Sequence, residues 1–237
     1  MSSPDGARSM IQLLLDIAPD ARPSLEAFVP GRNAELLSVL RALVAGGGGE
    51  RFLYLWGAPG CGRSHLLRAA VEGFRARGIE AVYVPPGGAQ GPELERCDCV
   101  AVDDVHRLGG EAQEALFHLY NRIREGGRAA LVASGDAAPS RLGLRQDLMT
   151  RLAWGLVYQV HELTDEEKAQ VLERHAALRG FALPREVADW LLRHGRRDLP
   201  WLVAVVELLD RHSLETKRPV TLPLLREVIQ APLDLDP

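Results

Sequence analysis

The chain has 237 residues, 46% hydrophobic and 25% charged, with a formal net charge of −4. These values suit a folded globular protein with one sizeable domain, or a domain plus a smaller one. The acid excess argues against broad charge-driven binding to DNA, which calls for a basic surface, and no apolar run reaches the 18 or more residues of a membrane span.

The opening MSSPDGARSM lacks a basic flank followed by an apolar stretch, so no secretory signal is expected and cytoplasmic residence is the default. Residues 1–22 read as a flexible tail punctuated by Pro4, Gly6 and Pro19, with one apolar island, QLLLDI, at 12–17. A helix is expected next, capped by Asn33, striped by Leu36, Leu37, Leu40 and Leu43, and ended by the glycines at 46–49. FLYLW (52–56) predicts a buried strand, and RSHLLRAAVEGFRARG a helix closed by Gly78. EAVYV (80–84), CVAVDD (99–104) and AALVAS (129–134) predict further strands, with GEAQEALFHLYNRIREGG a helix between the last two and LVYQV a final strand-like run. Strands alternating with helices predict an α/β fold whose parallel sheet is covered on both faces. From about residue 164 the pattern becomes wholly helical. Thr164 with Glu167 forms a capping box, and three more helical stretches follow. The expected division is a tail (1–22), an α/β nucleotide-binding domain (23–162) and a small all-helical lid (163–237).

GAPGCGRSHLL (57–67) fits the phosphate-loop pattern G-x-x-x-x-G-K-[ST] through Gly57, Gly62 and Ser64, but Arg63 stands where lysine is usual. Glycines let backbone N–H groups turn toward phosphates, and the following helix aims its positive end at them. Nucleotide contacts are therefore expected from Gly57, Gly60, Gly62, Arg63, Ser64 and His65, with Ser64 a ligand of Mg²⁺. The chain has only two lysines, Lys168 and Lys217, so composition alone could also account for Arg63. Arg63 keeps the charge but is larger and planar, so binding should survive better than γ-phosphate placement.

In CVAVDD, four mostly apolar residues precede Asp103 and Asp104. Asp103 is expected at Mg²⁺ and Asp104 where an acid orients water. Ser134 or Asp136, ending the fourth strand, is a candidate polar sensor of the γ-phosphate. Arg151, near the end of the helix in RQDLMTRLAWG, could reach a neighbouring subunit's nucleotide or simply pair with Asp147 four residues earlier. Cys97 and Cys99 have no second Cys/His pair at zinc spacing, so buried thiols are expected.

Together, FVPGRNAEL, GAPGCGRSHLL, VDDVHRLGG, QEALFHLYNRI, ASGD and TRLAWG resemble successive segments of AAA+ ATPases of the DnaA type. Arg63, the short N-terminal region and the lack of a helix-turn-helix after the lid are similar to the Hda-type regulators within that family, as are SRLGLRQDL, LTDEEK and LRGFALP. The resemblance implies an ADP-bound form (or ATP) with Mg²⁺, and an arginine finger, Arg151, that stimulates hydrolysis of ATP bound to DnaA. It also implies that QLLLDI is a motif for the sliding clamp (the β subunit of DNA polymerase III), anchored by Gln12, Leu13, Leu15 and Ile17. DNA would then be met indirectly, with no membrane partner and a possible homo-oligomer. The alternatives are a self-contained AAA+ ATPase such as a helicase loader, and a clamp-binding adaptor with a vestigial site. One departure stands out: Pro200 occupies the place of the second lid sensor arginine, with Arg196 and Arg197 within one turn.

Overall fold

The computed structural model describes residues 23–47, 49–88, 94, 96–126, 129–196 and 198–230. The expected clamp-binding segment, 12–17, lies outside them. The described residues fall into two compact units with the boundary between Glu162 and Leu163.

In the first unit, α1 (Ala34–Ala45) precedes β1 (Phe52–Trp56), α2 (Arg63–Ala76), β2 (Ala81–Val84) and β3 (Cys99–Val102). Then come α3 (Gly110–Gly126), β4 (Ala130–Gly135), α4 (Gln146–Leu152) and β5 (Leu156–Gln159). The strands form one parallel sheet in the order β2-β3-β4-β1-β5. Successive side chains of a strand face opposite ways, and here both faces are covered. Leu53, Leu55, Cys99, Ala101 and Val132 pack with Leu36, Leu40, Leu66 and Ala70 of α1 and α2. Phe52, Tyr54, Val100, Val102 and Leu131 pack with Leu116, Tyr120 and Leu148 of α3 and α4. Burying each large aliphatic side chain is worth about 2 kcal/mol, which is why the central strands read as unbroken apolar runs. β5 is an edge strand whose side chains are largely exposed.

Asn33 does sit at the N-cap of α1, but its side chain makes no cap bond. Its Nδ2 donates to the His161 carbonyl at 2.8 Å and its Oδ1 accepts from the His161 N–H at 2.7 Å. A distant backbone segment with both groups to satisfy outcompetes the local cap.

The second unit is helical: α5 (Asp165–Leu178), α6 (Arg185–His194), α7 (Leu199–Thr216) and α8 (Leu222–Gln230). Its core gathers Leu172, Val187, Leu191, Leu202, Val206 and Leu209. The capping box is formed, with the Glu167 N–H donating to Thr164 Oγ1 (3.2 Å) and the Thr164 N–H to Glu167 Oε2 (2.7 Å). Asp198 caps α7 by accepting from the Trp201 N–H at 3.1 Å. Pro200 therefore lies in the first turn, where a missing N–H does no harm. Arg196 Nε is paired with Asp198 Oδ2 at 3.1 Å, and Arg197 lies outside the described residues. Among the described residues no helix is long and apolar enough to cross a membrane.

Candidate functional site

The carboxyl ends of β1, β3 and β4 carry, in turn, the loop 57–62, the acids at 103–104 and the segment 134–136. A crevice at the carboxyl ends of parallel strands is where such folds bind ligands. The loop after β1 turns through Gly60 at φ +84° and Gly62 at φ +101°, a region that side chains other than glycine rarely adopt. Gly57 is fixed by contact: a Cβ there would lie 2.5 Å from the Val160 carbonyl oxygen. α2 then starts at Arg63 with no capping side chain and no acid in its first turn. The first N–H groups of a helix have no partner within it, so this end favours an anion. These features fit a polyphosphate. Ser64 is exposed at this end, and Arg63 is buried beside it at 8% exposure.

Asp103 is 1% exposed and enclosed by donors. Tyr83 Oη donates to its Oδ2 at 2.7 Å, Ser134 Oγ donates to its Oδ1, and the Asp104 N–H reaches the same Oδ1 at 3.1 Å. Burial raises the Tyr83 phenol, and its bond to Asp103 adds to this, keeping it a donor. A carboxylate has about four acceptor positions, so Asp103 keeps about one toward a cation. Ser134 Oγ also accepts from the Asp104 N–H at 2.9 Å, which pins Asp104 at φ 49°.

Arg63 Nη1 lies 3.3 Å from Asp104 Oδ1. His106 Nδ1 is 3.6 Å from Asp136 Oδ1 and 4.0 Å from Asp104 Oδ1. Of the two polar candidates at the carboxyl end of β4, Ser134 in the strand and Asp136 just after it, Ser134 is the one bonded to Asp103. Asp136 is exposed, its carboxylate near His106. His65 Nε2 is 3.1 Å from the Ser24 carbonyl, and its ring stacks on Phe28 with centroids 6.0 Å apart. His65 thus ties the segment before α1 to α2. Burial pushes the Cys61 thiol up, with Arg63 pulling the other way.

Arg151 lies in a second cluster. Its Nε donates to Asn121 Oδ1 at 3.0 Å, and its guanidinium sits 4.1 Å from the centre of the Trp154 ring and 5.6 Å from that of Phe117. Arg124 lies over the same indole at 5.4 Å, and Trp154 is 53% exposed. Asp147 is paired instead with Arg145 Nη2 at 2.9 Å, which holds its carboxyl below the usual range. Four of these participants, Tyr83, His106, Asn121 and Trp154, were not expected from the sequence. Tyr83 had a signal: β2 and β3 pair with Tyr83 opposite Ala101, so Tyr83 shares a face with Asp103 two residues on.

A parallel sheet with a phosphate loop and paired acids at strand ends, followed in the chain by a helical unit, defines an AAA+ protein. Domain III of Thermotoga maritima DnaA shares the fold at TM-score 0.70, with 21% identity over 88% of this chain and 96% of its own. DnaA from Aquifex aeolicus, solved bound to AMPPCP, gives 0.69, with 22% identity over 83% and 67%. A Thermotoga maritima RuvB variant gives 0.64, with 17% identity over 88% and 71%. Family models of the Hda lid domain and of the bacterial DnaA ATPase domain match residues 165–229 and 89–159. The chain is a DnaA/Hda-like AAA+ protein.

Proposed function

We propose that this DnaA-related AAA+ protein regulates the initiation of replication by stimulating hydrolysis of ATP held by DnaA, while holding ADP in its own phosphate loop. The observation that carries this reading is the setting of Arg151. Its partners are a neutral amide and aromatic rings, which orient a guanidinium without cancelling its charge. On a partly exposed surface, such a cation is available to a triphosphate outside the chain. There it would offset charge developing on the transferred phosphoryl group, an effect worth roughly 10³ to 10⁵ in rate.

The chain's own site acts as a holder. The N-terminal end of α2 and the glycine turn bind the phosphates, and Arg63 neutralises them. Ser64 and the remaining acceptor position of Asp103 would hold Mg²⁺, which supplies further charge neutralisation when bound. Tyr83 and Ser134 keep Asp103 aligned. Residues 12–17 would dock on the sliding clamp as an extended peptide, bringing the regulator to DNA without a basic surface.

The test is reconstitution with DnaA carrying labelled ATP, clamp loaded on DNA, and this protein with or without ADP. Arg151→Ala is expected to keep ADP and clamp binding and lose stimulation. Full stimulation by that variant would overturn the assignment.

A further inference from the structure

Arg63 serves above as a phosphate ligand, yet its guanidinium already faces an anion of the protein itself. It comes from the first residue of α2, whereas Asp104 comes from the turn after β3; nothing in the sequence spacing pairs them. Their side chains are 9% and 19% exposed, and Nη1 stands 3.3 Å from Oδ1. Nη1 is buried and makes no hydrogen bond among the described residues, so the contact is an ion pair without hydrogen-bond alignment. The acid is less free than the base. The Asp104 N–H is fixed by Ser134 and Asp103, whereas the Arg63 guanidinium is carried at the end of a long side chain, with Cys61 as a further neighbour.

We propose that Asp104 and bound phosphate compete for Arg63. With no polyphosphate present the pair is a latch across the mouth of the loop. A nucleotide must draw Arg63 off Asp104 in order to bind. The proposal rests on the reading of residues 57–64 as a nucleotide site. It makes Asp104 an affinity-lowering residue whose effect runs through Arg63, unlike the simple repulsion any nearby acid exerts. Asp136 supplies the contrast: it carries the same charge at a neighbouring strand end and shares His106 with Asp104, at 3.6 and 4.0 Å, but only Asp104 faces Arg63.

The experiment is titration of the purified full chain, without DnaA, by a fluorescent ADP. The variants are Asp104→Asn, Arg63→Gln, the double variant and Asp136→Asn, with melting temperatures to verify folding. Asp104→Asn is expected to tighten binding by about threefold to tenfold, the scale of one partly exposed ion pair. The gain should fall below about twofold in the Arg63→Gln background, and Asp136→Asn should gain less than about twofold. If Arg63→Gln fails to fold, Arg63→Met replaces it, retaining the stem without charge or donors.

A gain that persists without Arg63, or that Asp136→Asn reproduces, is repulsion alone and overturns the latch while leaving the site reading intact. Unchanged or weaker binding by Asp104→Asn overturns it as well. If no variant binds ADP, the site reading falls and takes the latch with it.

Discussion

Arg63 and Arg151 carry the same charge in opposite settings. Arg63 is 8% exposed and faces a carboxylate of its own chain. Arg151 leans on an amide and on an indole that is itself 53% exposed. A buried guanidinium needs a compensating anion, because an unpaired buried charge is costly. A surface guanidinium needs only orientation, which stacking supplies without neutralising it. The difference separates a cation that faces an acid of its own chain from one that the proposed function assigns to another molecule.

The largest expected effect tests that separation directly. Arg151→Ala should reduce stimulated hydrolysis of DnaA-bound ATP by roughly 10³-fold or more, while urea denaturation detects a loss of only about 1–2 kcal/mol, from the Asn121 hydrogen bond and the ring contacts. Arg151→Lys sharpens the contrast. An ammonium keeps the charge but loses the planar stack on Trp154, so single-turnover rates should lie between those of wild type and the alanine variant. Equal rates for Arg151→Lys and wild type would mean that charge alone suffices and that the Trp154 platform is incidental.

The next effect is on stability and reverses the ranking of the two regions. Leu55 is fully buried in β1 beneath the loop, so Leu55→Ala should lose about 2–5 kcal/mol in denaturant titration. Trp154→Ala removes an exposed ring and its cation contacts, worth about 1 kcal/mol. A larger loss at Trp154 than at Leu55 would show that the arginine cluster is structural, and would break the comparison.

Much of this was legible because the relevant signals are local. A strand buried on both faces must be an apolar run, so 52–56 and 99–102 declare themselves. A phosphate loop must place its glycines and hydroxyl within one turn, so 57–64 does the same. What stayed hidden is non-local. Tyr83 reaches Asp103 from another strand, and Asn121 reaches Arg151 from α3. Asn33 has the right residue type and position for a cap, yet a backbone segment 128 residues away takes its side chain. Asp147 was the local candidate for Arg151, but Arg145, two residues from it, holds it instead. Spacing within one helix cannot rank such competitors; the fold does.

A pH prediction extends the contrast to the sheet. Burial on β3 pushes the Cys99 thiol up to about 12 from an ordinary value near 9. The folded state therefore keeps the proton more tightly than the unfolded state. This contribution is fully present below about pH 9 and is lost as pH rises toward 12, because the unfolded chain sheds the proton first. Urea midpoints measured from pH 8 to 11 should fall, and Cys99→Ala should fall less steeply. Parallel slopes for the two proteins would remove Cys99 from the account.

The smallest effect lies in the helical unit, whose start was read from four residues of sequence. Thr164→Ala deletes the acceptor for the Glu167 N–H and should cost about 1 kcal/mol. Glu167→Gln keeps the shape of the box and removes only its charge near the positive end of α5, so it should cost less, within about 0.3–1 kcal/mol. Because the box lies at the first turn after the boundary at Leu163, its loss should speed hydrogen exchange in α5 ahead of β1 and β3. Equal acceleration in the central strands would mean that the two units open together, and that the boundary seen in packing is not a boundary in cooperativity.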